Sequence, residues 1–131
     1  MKPEEYSPLN LAYLGDAVFE LMVREALVSD SLENVHSLFK KSKSYVCASA
    51  QSQSYFRLFD QLSPEEQQIA KRGRNSKPAN RAKKTSVTEY QHATGLEALF
   101  GFLYLSGKSD RLREIFALCV SDEVYSIEKP Y

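Results

Sequence analysis

Cysteine occurs only twice, at Cys47 and Cys119. The two lie far apart and lack metal-ligand spacing, which excludes a cysteine-built zinc site. Both are expected to be buried free thiols in a reducing, cytoplasmic setting. Long uninterrupted hydrophobic runs are also missing. The most apolar stretches carry Asp16, Glu20, Arg24 and Glu25 in one case and Glu97 in the other, which argues against a transmembrane span. The start, Met1-Lys2-Pro3-Glu4-Glu5, is acidic rather than basic and then apolar, so no secretory leader is expected. No Walker-type loop, Ser-His-Asp order, internal repeat or low-complexity segment occurs, and histidine is limited to His36 and His92. Alternation of period two is absent as well. The expectation is an all-α chain forming one domain over residues 1–131.

Net charge is zero overall, but it is unevenly spread. Residues 71 to 84 read KRGRNSKPANRAKK, with seven bases and no acid, which leaves ten bases against seventeen acids elsewhere. Such a segment is either a solvated connection or a phosphate-binding element, because clustered Lys and Arg release counterions from a nucleic-acid backbone. Gly73 and Asn75 within the segment favour the second reading, with Arg72, Arg74, Asn75, Lys77, Arg81, Lys83 and Lys84 as the candidate contacts. Phosphate contacts of this kind fix position and do not read bases.

The periodicity is helical nearly throughout. Ser7-Pro8 predicts a capped start for a helix from Leu9 to about Val28, with Leu11, Leu14, Val18, Leu21 and Met22 as its apolar stripe. A second helix is expected from Ser31, and a third from Ser44 to Asp60 with Val46, Ala50, Tyr55, Leu58 and Phe59 inward. Ser63-Pro64-Glu65-Glu66 is a capping-box start for a short helix ending near Gly73. A long apolar helix should run from Val87 to Ser106 and stop at Gly107, followed by a last helix capped by Ser109.

Two acids stand inside segments that otherwise read as core: Asp16 in LAYLGDAVFELMV and Glu97 in ATGLEALFGFLYL. A carboxylate buried there is costly unless paired, hydrogen-bonded or metal-bound. Gly15 beside Asp16, and Gly95 and Gly101 around Glu97, are poor helix formers whose use can be close helix–helix approach. That approach would unite the two acids in a hard-oxygen site suited to Mg²⁺ or Mn²⁺. The alternative is a structural pair with an arginine such as Arg24 or Arg81. Glu20, one turn after Asp16, can share its face, and His92 is a candidate supporting contact near Glu97. Tyr90 and Tyr104, flanking Glu97, are the aromatics open to a base-stacking role, whereas the rest read as core.

Leu14-Gly15-Asp16-Ala17-Val18-Phe19-Glu20-Leu21 resembles the signature helix of the ribonuclease III catalytic domain, and Glu97-Ala98-Leu99-Phe100-Gly101-Phe102-Leu103-Tyr104-Leu105 resembles its second acidic helix. The order and separation agree over nearly the whole chain. The short length and the RGRNSKP…HATGLEALFG arrangement are similar to the Mini-ribonuclease III branch, which lacks a double-stranded-RNA-binding domain. The resemblance implies a helical endonuclease domain and a homodimer with two active sites in a valley for an RNA duplex. It implies a Mg²⁺-dependent endoribonuclease giving 5′-phosphate and 3′-hydroxyl ends, with Mn²⁺ able to substitute. Asp16 and Glu97 would be its catalytic and metal-binding residues, with Glu20, His92 and Thr94 in support. The implied substrate is the large-subunit (23S) ribosomal RNA precursor, with a ribosomal protein as a conceivable helper. Where longer family members carry two further acids, this chain has Ala12 and Thr94. Two rivals stand beside this reading: a non-catalytic duplex-RNA-binding or ribosome-associated module that has lost half the acids, and a helical protein-interaction domain whose basic loop docks an acidic partner.

Overall fold

A computed structural model describes residues 1–29, 31–76 and 86–120, and among these the chain forms six α-helices and no strand. They are α1 (Pro8–Ser29), α2 (Val35–Val46), α3 (Ala48–Leu58), α4 (Pro64–Arg74), α5 (Val87–Leu105) and α6 (Ser109–Cys119). The expected all-α architecture is what is found.

Several starts are capped as the residue types dictate. Ser7 Oγ accepts from the Asn10 amide at 3.1 Å. Ser63 and Glu66 exchange both capping-box bonds, at 3.2 and 2.8 Å, satisfying two donors that a helix start leaves free. Gly107 ends the stretch after α5 with φ +69°, a conformation that disfavours any side chain with a Cβ.

Three boundaries differ from expectation. Asn34, not Ser31, caps α2, its Oδ1 accepting from Ser37 N at 3.0 Å. Leu32 is fully exposed, so extending the helix back to Ser31 would bury nothing. The chain is extended at Cys47 (φ −69°, ψ 156°), so Ser44, Tyr45 and Val46 close α2 rather than opening α3. Lys108 is the N-cap of α6 and Ser109 its first helical residue, because the turn at Gly107 already lets the Lys108 carbonyl accept from Leu112 at 2.9 Å. The cysteines also diverge: Cys119 is buried as expected, whereas Cys47 sits exposed at this break.

Helix α5 is the centre of the molecule. From His92 to Leu103 every residue except Glu97 is buried, the pattern of a helix covered on all sides. Helices α1, α3, α4 and α6 pack around it. Phe19 meets Phe100 edge-on at 5.0 Å and Phe116 at 5.7 Å, joining α1, α5 and α6 in one aromatic cluster. Buried Glu66 is matched by Arg111, which donates to both carboxylate oxygens at 2.8 and 2.9 Å and to the Gln61 carbonyl at 3.0 Å.

Glycines set how closely the helices approach. A Cβ on Gly15 would collide with the Glu97 carbonyl and come within 2.7 Å of Gly101 N; one on Gly101 would strike the Leu11 carbonyl. Helices α1 and α5 therefore cross backbone to backbone at this pair. A second close approach seats Gly73 of α4 against Gly95 of α5, where a Cβ on Gly73 would fall 2.9 Å from the Gly95 Cα. Gly73 thus serves packing inside α4, and Asn75 follows as the C-cap.

Candidate active site

The α1–α5 crossing fixes the site. Asp16 follows the crossing glycine Gly15 directly, and Glu97 lies one turn before its partner Gly101. Their carboxyl groups meet in hydrogen-bonding contact. The sequence led us to expect both acids to be buried. Only Glu97 is partly enclosed, while Asp16 is exposed, because α1 presents one face to solvent along this stretch. Burial first, then the charge of Asp16 and the contact with it, push the Glu97 carboxyl from 4.5 up to about 9. The Glu97 carboxyl is therefore protonated near neutral pH when no cation is bound. The arginine alternative fails for Arg24, which pairs with Glu20 at 2.6 Å along the α1 surface. Arg81 lies outside the described residues.

The other candidates take varied positions. Glu20 is engaged by Arg24. His92 is buried on α5, its ring 4.8 Å from that of Tyr55 and 4.3 Å from that of Phe56, with Nδ1 2.7 Å from the Thr88 carbonyl. Thr94 donates to the Tyr90 carbonyl at 2.8 Å, and Ala12 is buried. Tyr90 is partly buried and Tyr104 exposed. Arg72 donates to the Glu4 and Tyr6 carbonyls at 3.0 and 3.2 Å, tying the N-terminal segment to α4. Arg74 reaches the Asn75 side chain at 3.2 Å. Lys77, Arg81, Lys83 and Lys84 lie outside the described residues.

Gln51 was not foreseen. It is 2% exposed on α3, and its side chain reaches the Glu97 carboxyl. The available signal was its spacing: Gln51, Tyr55 and Leu58 recur at i, i+4 and i+7 and so share the inward face.

The residues fit a magnesium ion. Two carboxylates from different helices converge, one of them disfavoured as an anion until a cation joins it, and both offer hard oxygen. Among the described residues no cluster of three or more acids, histidines or cysteines adds to them. Magnesium needs no more, since it keeps several waters and takes substrate phosphate oxygens.

The sequence pattern of the ribonuclease III domain matches residues 9–108, a span that runs from the start of α1 to the end of the turn after α5 and includes both acids. The chain belongs to the ribonuclease III family. That membership makes it an endoribonuclease. Among its relatives, the Mini-ribonuclease 3 of Thermoanaerobacter sp. (strain X514) is 46% identical over 114 residues, 87% of this chain and 80% of that protein. The Mini-ribonuclease 3 of Brevibacillus brevis is 43% identical, covering 86% of this chain and 84% of the relative. A crystal structure of a Fusobacterium nucleatum protein superposes with a TM-score of 0.84 at 35% identity, covering 94% of this chain and 99% of that one. A ribonuclease III domain is all-helical, which agrees with the six helices and no strand among the described residues. Among the described residues no helix is long and apolar enough to cross a membrane.

Proposed function

We propose that this ribonuclease III family member cuts double-stranded RNA in the cytoplasm, with Asp16 and Glu97 holding Mg²⁺, or Mn²⁺ in its place. The observation that carries the reading is the Asp16–Glu97 contact at the α1–α5 crossing. A Glu97 carboxyl whose charge is disfavoured by burial and by Asp16, on a helix otherwise built as core, makes physical sense as part of a cation site. When bound, the ion supplies Lewis-acid charge and an activated water for phosphodiester hydrolysis, leaving 5′-phosphate and 3′-hydroxyl ends. The chain's own part is to bring two rigid helices together so that both carboxylates hold fixed positions. Thr94 and His92 keep the α5 segment in shape through their bonds to Tyr90 and Thr88, and Glu20 with Arg24 borders the α1 side.

Arg74, Asn75, Lys77, Arg81, Lys83 and Lys84, with the exposed edge of Arg72, are proposed to meet backbone phosphates of an A-form duplex, which is recognised mainly by shape and phosphate. The proposed substrate is the large-subunit (23S) ribosomal RNA precursor, presented where needed by a ribosomal protein. A homodimer is proposed as the working form. It is supported by Leu9, Tyr13, Leu21 and Val28, which remain exposed along α1, Tyr13 being 84% exposed one turn from Asp16.

Incubating the chain with end-labelled duplex RNA, with Mg²⁺ and with chelator, tests the reading. Internal cuts that require both the duplex and Mg²⁺ are expected. Tight duplex binding with no cutting under any condition, including on a ribosomal RNA precursor, would instead assign the non-catalytic module, with Ala12 and Thr94 as its reason.

A further inference from the structure

We propose that Gln51 is a positioning residue of the metal site, its buried side-chain amide donating to Glu97 and holding that carboxylate against Asp16. The inference rests on the metal-site reading above. Gln51 stands on α3, which packs against α5 on its own side, so it approaches the acid pair from a third helix.

The other buried polar side chains mostly account for themselves. Ser54 donates to the Cys119 carbonyl at 3.1 Å, Ser42 to the Phe39 carbonyl at 2.9 Å, and Thr94 to the Tyr90 carbonyl at 2.8 Å. The Gln51 Nε2, buried with the rest of a residue only 2% exposed, has no hydrogen-bond partner. Tyr55, one turn further along α3, also has a buried unpartnered hydroxyl, but the group beside it is Arg74. A buried N–H without an acceptor is unfavourable and rare in folded proteins. Here an acceptor is at hand: one turn along α3 the Tyr55 ring lies against Gly95 of α5, where a Cβ would come within 2.8 Å of it, and the Gln51 side chain adjoins the Glu97 carboxyl.

The chemistry suits an amide. A carboxylate held for a cation accepts hydrogen bonds and donates none, so its natural neighbour is a donor. A neutral N–H supplies one without bringing a cation that would compete with the metal or an anion that would repel the pair. With Ala12 and Thr94 where longer family members have acids, two carboxylates must do the binding, so the orientation of each matters more. Partners of metal ligands typically alter metal affinity by about 10- to 100-fold when removed.

The test uses the full chain without RNA. Mn²⁺ is titrated into wild type, Gln51→Met, Gln51→Leu and Asp16→Asn, with free Mn²⁺ followed by electron paramagnetic resonance and stability in chelator by urea unfolding. Both Gln51 variants remove the donor with different apolar shapes, so the result does not hang on one of them folding. The expected result is a Kd raised about 10-fold or more in each, with urea unfolding in chelator little changed. Cleavage should then show a lower kcat with KM for RNA unchanged. Wild-type affinity in the Gln51 variants, beside lost binding in Asp16→Asn, overturns this inference alone. So does lowered stability with intact affinity, which would mark Gln51 as packing only. Absence of saturable binding by wild type overturns the inference and the metal-site reading together.

Discussion

Replacing Glu97 by glutamine should make the metal-free protein more stable, and more so at higher pH. The carboxyl is partly enclosed, beside Asp16, and is pushed from 4.5 to about 9. Its folded-state value thus lies above its unfolded one. Its contribution is fully present below 4.5, where both states carry the proton, and is lost as pH rises toward 9, because the unfolded chain ionises freely and the folded one does not. Each unit is worth about 1.4 kcal/mol, so near pH 7.5 the bound is about 4 kcal/mol. Water at the exposed Asp16 side screens the pair, and we expect about 2 kcal/mol to be recovered by Glu97→Gln. Urea unfolding in chelator at about pH 5, 7.5 and 9 reads this directly. The gain should be near zero at the lowest pH and grow with each step. Mg²⁺ should stabilise wild type and leave the variant unmoved. A variant less stable than wild type, or a difference that ignores pH, would refute the argument that Glu97 is a disfavoured anion awaiting a cation.

Gly15→Ala should destabilise by about 3 kcal/mol or prevent folding, since its Cβ meets the Glu97 backbone; a loss under about 1 kcal/mol in denaturant unfolding would mean the helices part easily. Glu66→Gln should cost about 2 kcal/mol at neutral pH, because Arg111 would lose its two-pronged buried partner and keep, as an ion pair, only the longer contact with exposed Glu114. The Arg111 bonds lower the Glu66 carboxyl below 4.5, so the stability it gives is present above that value and fades as pH falls, and the two proteins should converge in acid. Arg72→Ala should loosen the N-terminal segment and cost about 1 kcal/mol through its lost carbonyl contacts. Arg74→Ala should instead lower the slope of duplex-RNA affinity against salt by about one phosphate contact, measured by filter binding.

The helices and the two acids could be read from the sequence because their signals are local. Apolar spacing marked α1 and α5, and the Ser63–Glu66 box marked the start of α4. The glycines were informative for the same reason: Gly15 and Gly101 are unfavourable inside helices unless backbones touch there, and they do. What was not legible depended on choices between similar residues or on distant partners. Ser31 and Asn34 are both good caps, and only the lack of anything for Leu32 to bury decides between them. Arg72 looks like part of a charge run, yet its guanidinium meets carbonyls of Glu4 and Tyr6 more than sixty residues earlier. The exposure of Asp16 follows from which side of α1 the rest of the fold leaves open. Gln51 lay in a polar, serine-rich segment where its spacing from Tyr55 and Leu58 was the one signal of an inward face, and its approach to Glu97 depended on the α3–α5 packing.

The most direct measurement is single-turnover cleavage of duplex RNA in Mg²⁺ by wild type and Asp16→Asn, with duplex binding recorded in parallel. The account predicts binding within a few-fold of wild type and a cleavage rate lower by about a hundredfold or more, at least about 2.7 kcal/mol on the barrier. Equal cleavage by the variant would contradict the placement of the metal site at the α1–α5 crossing.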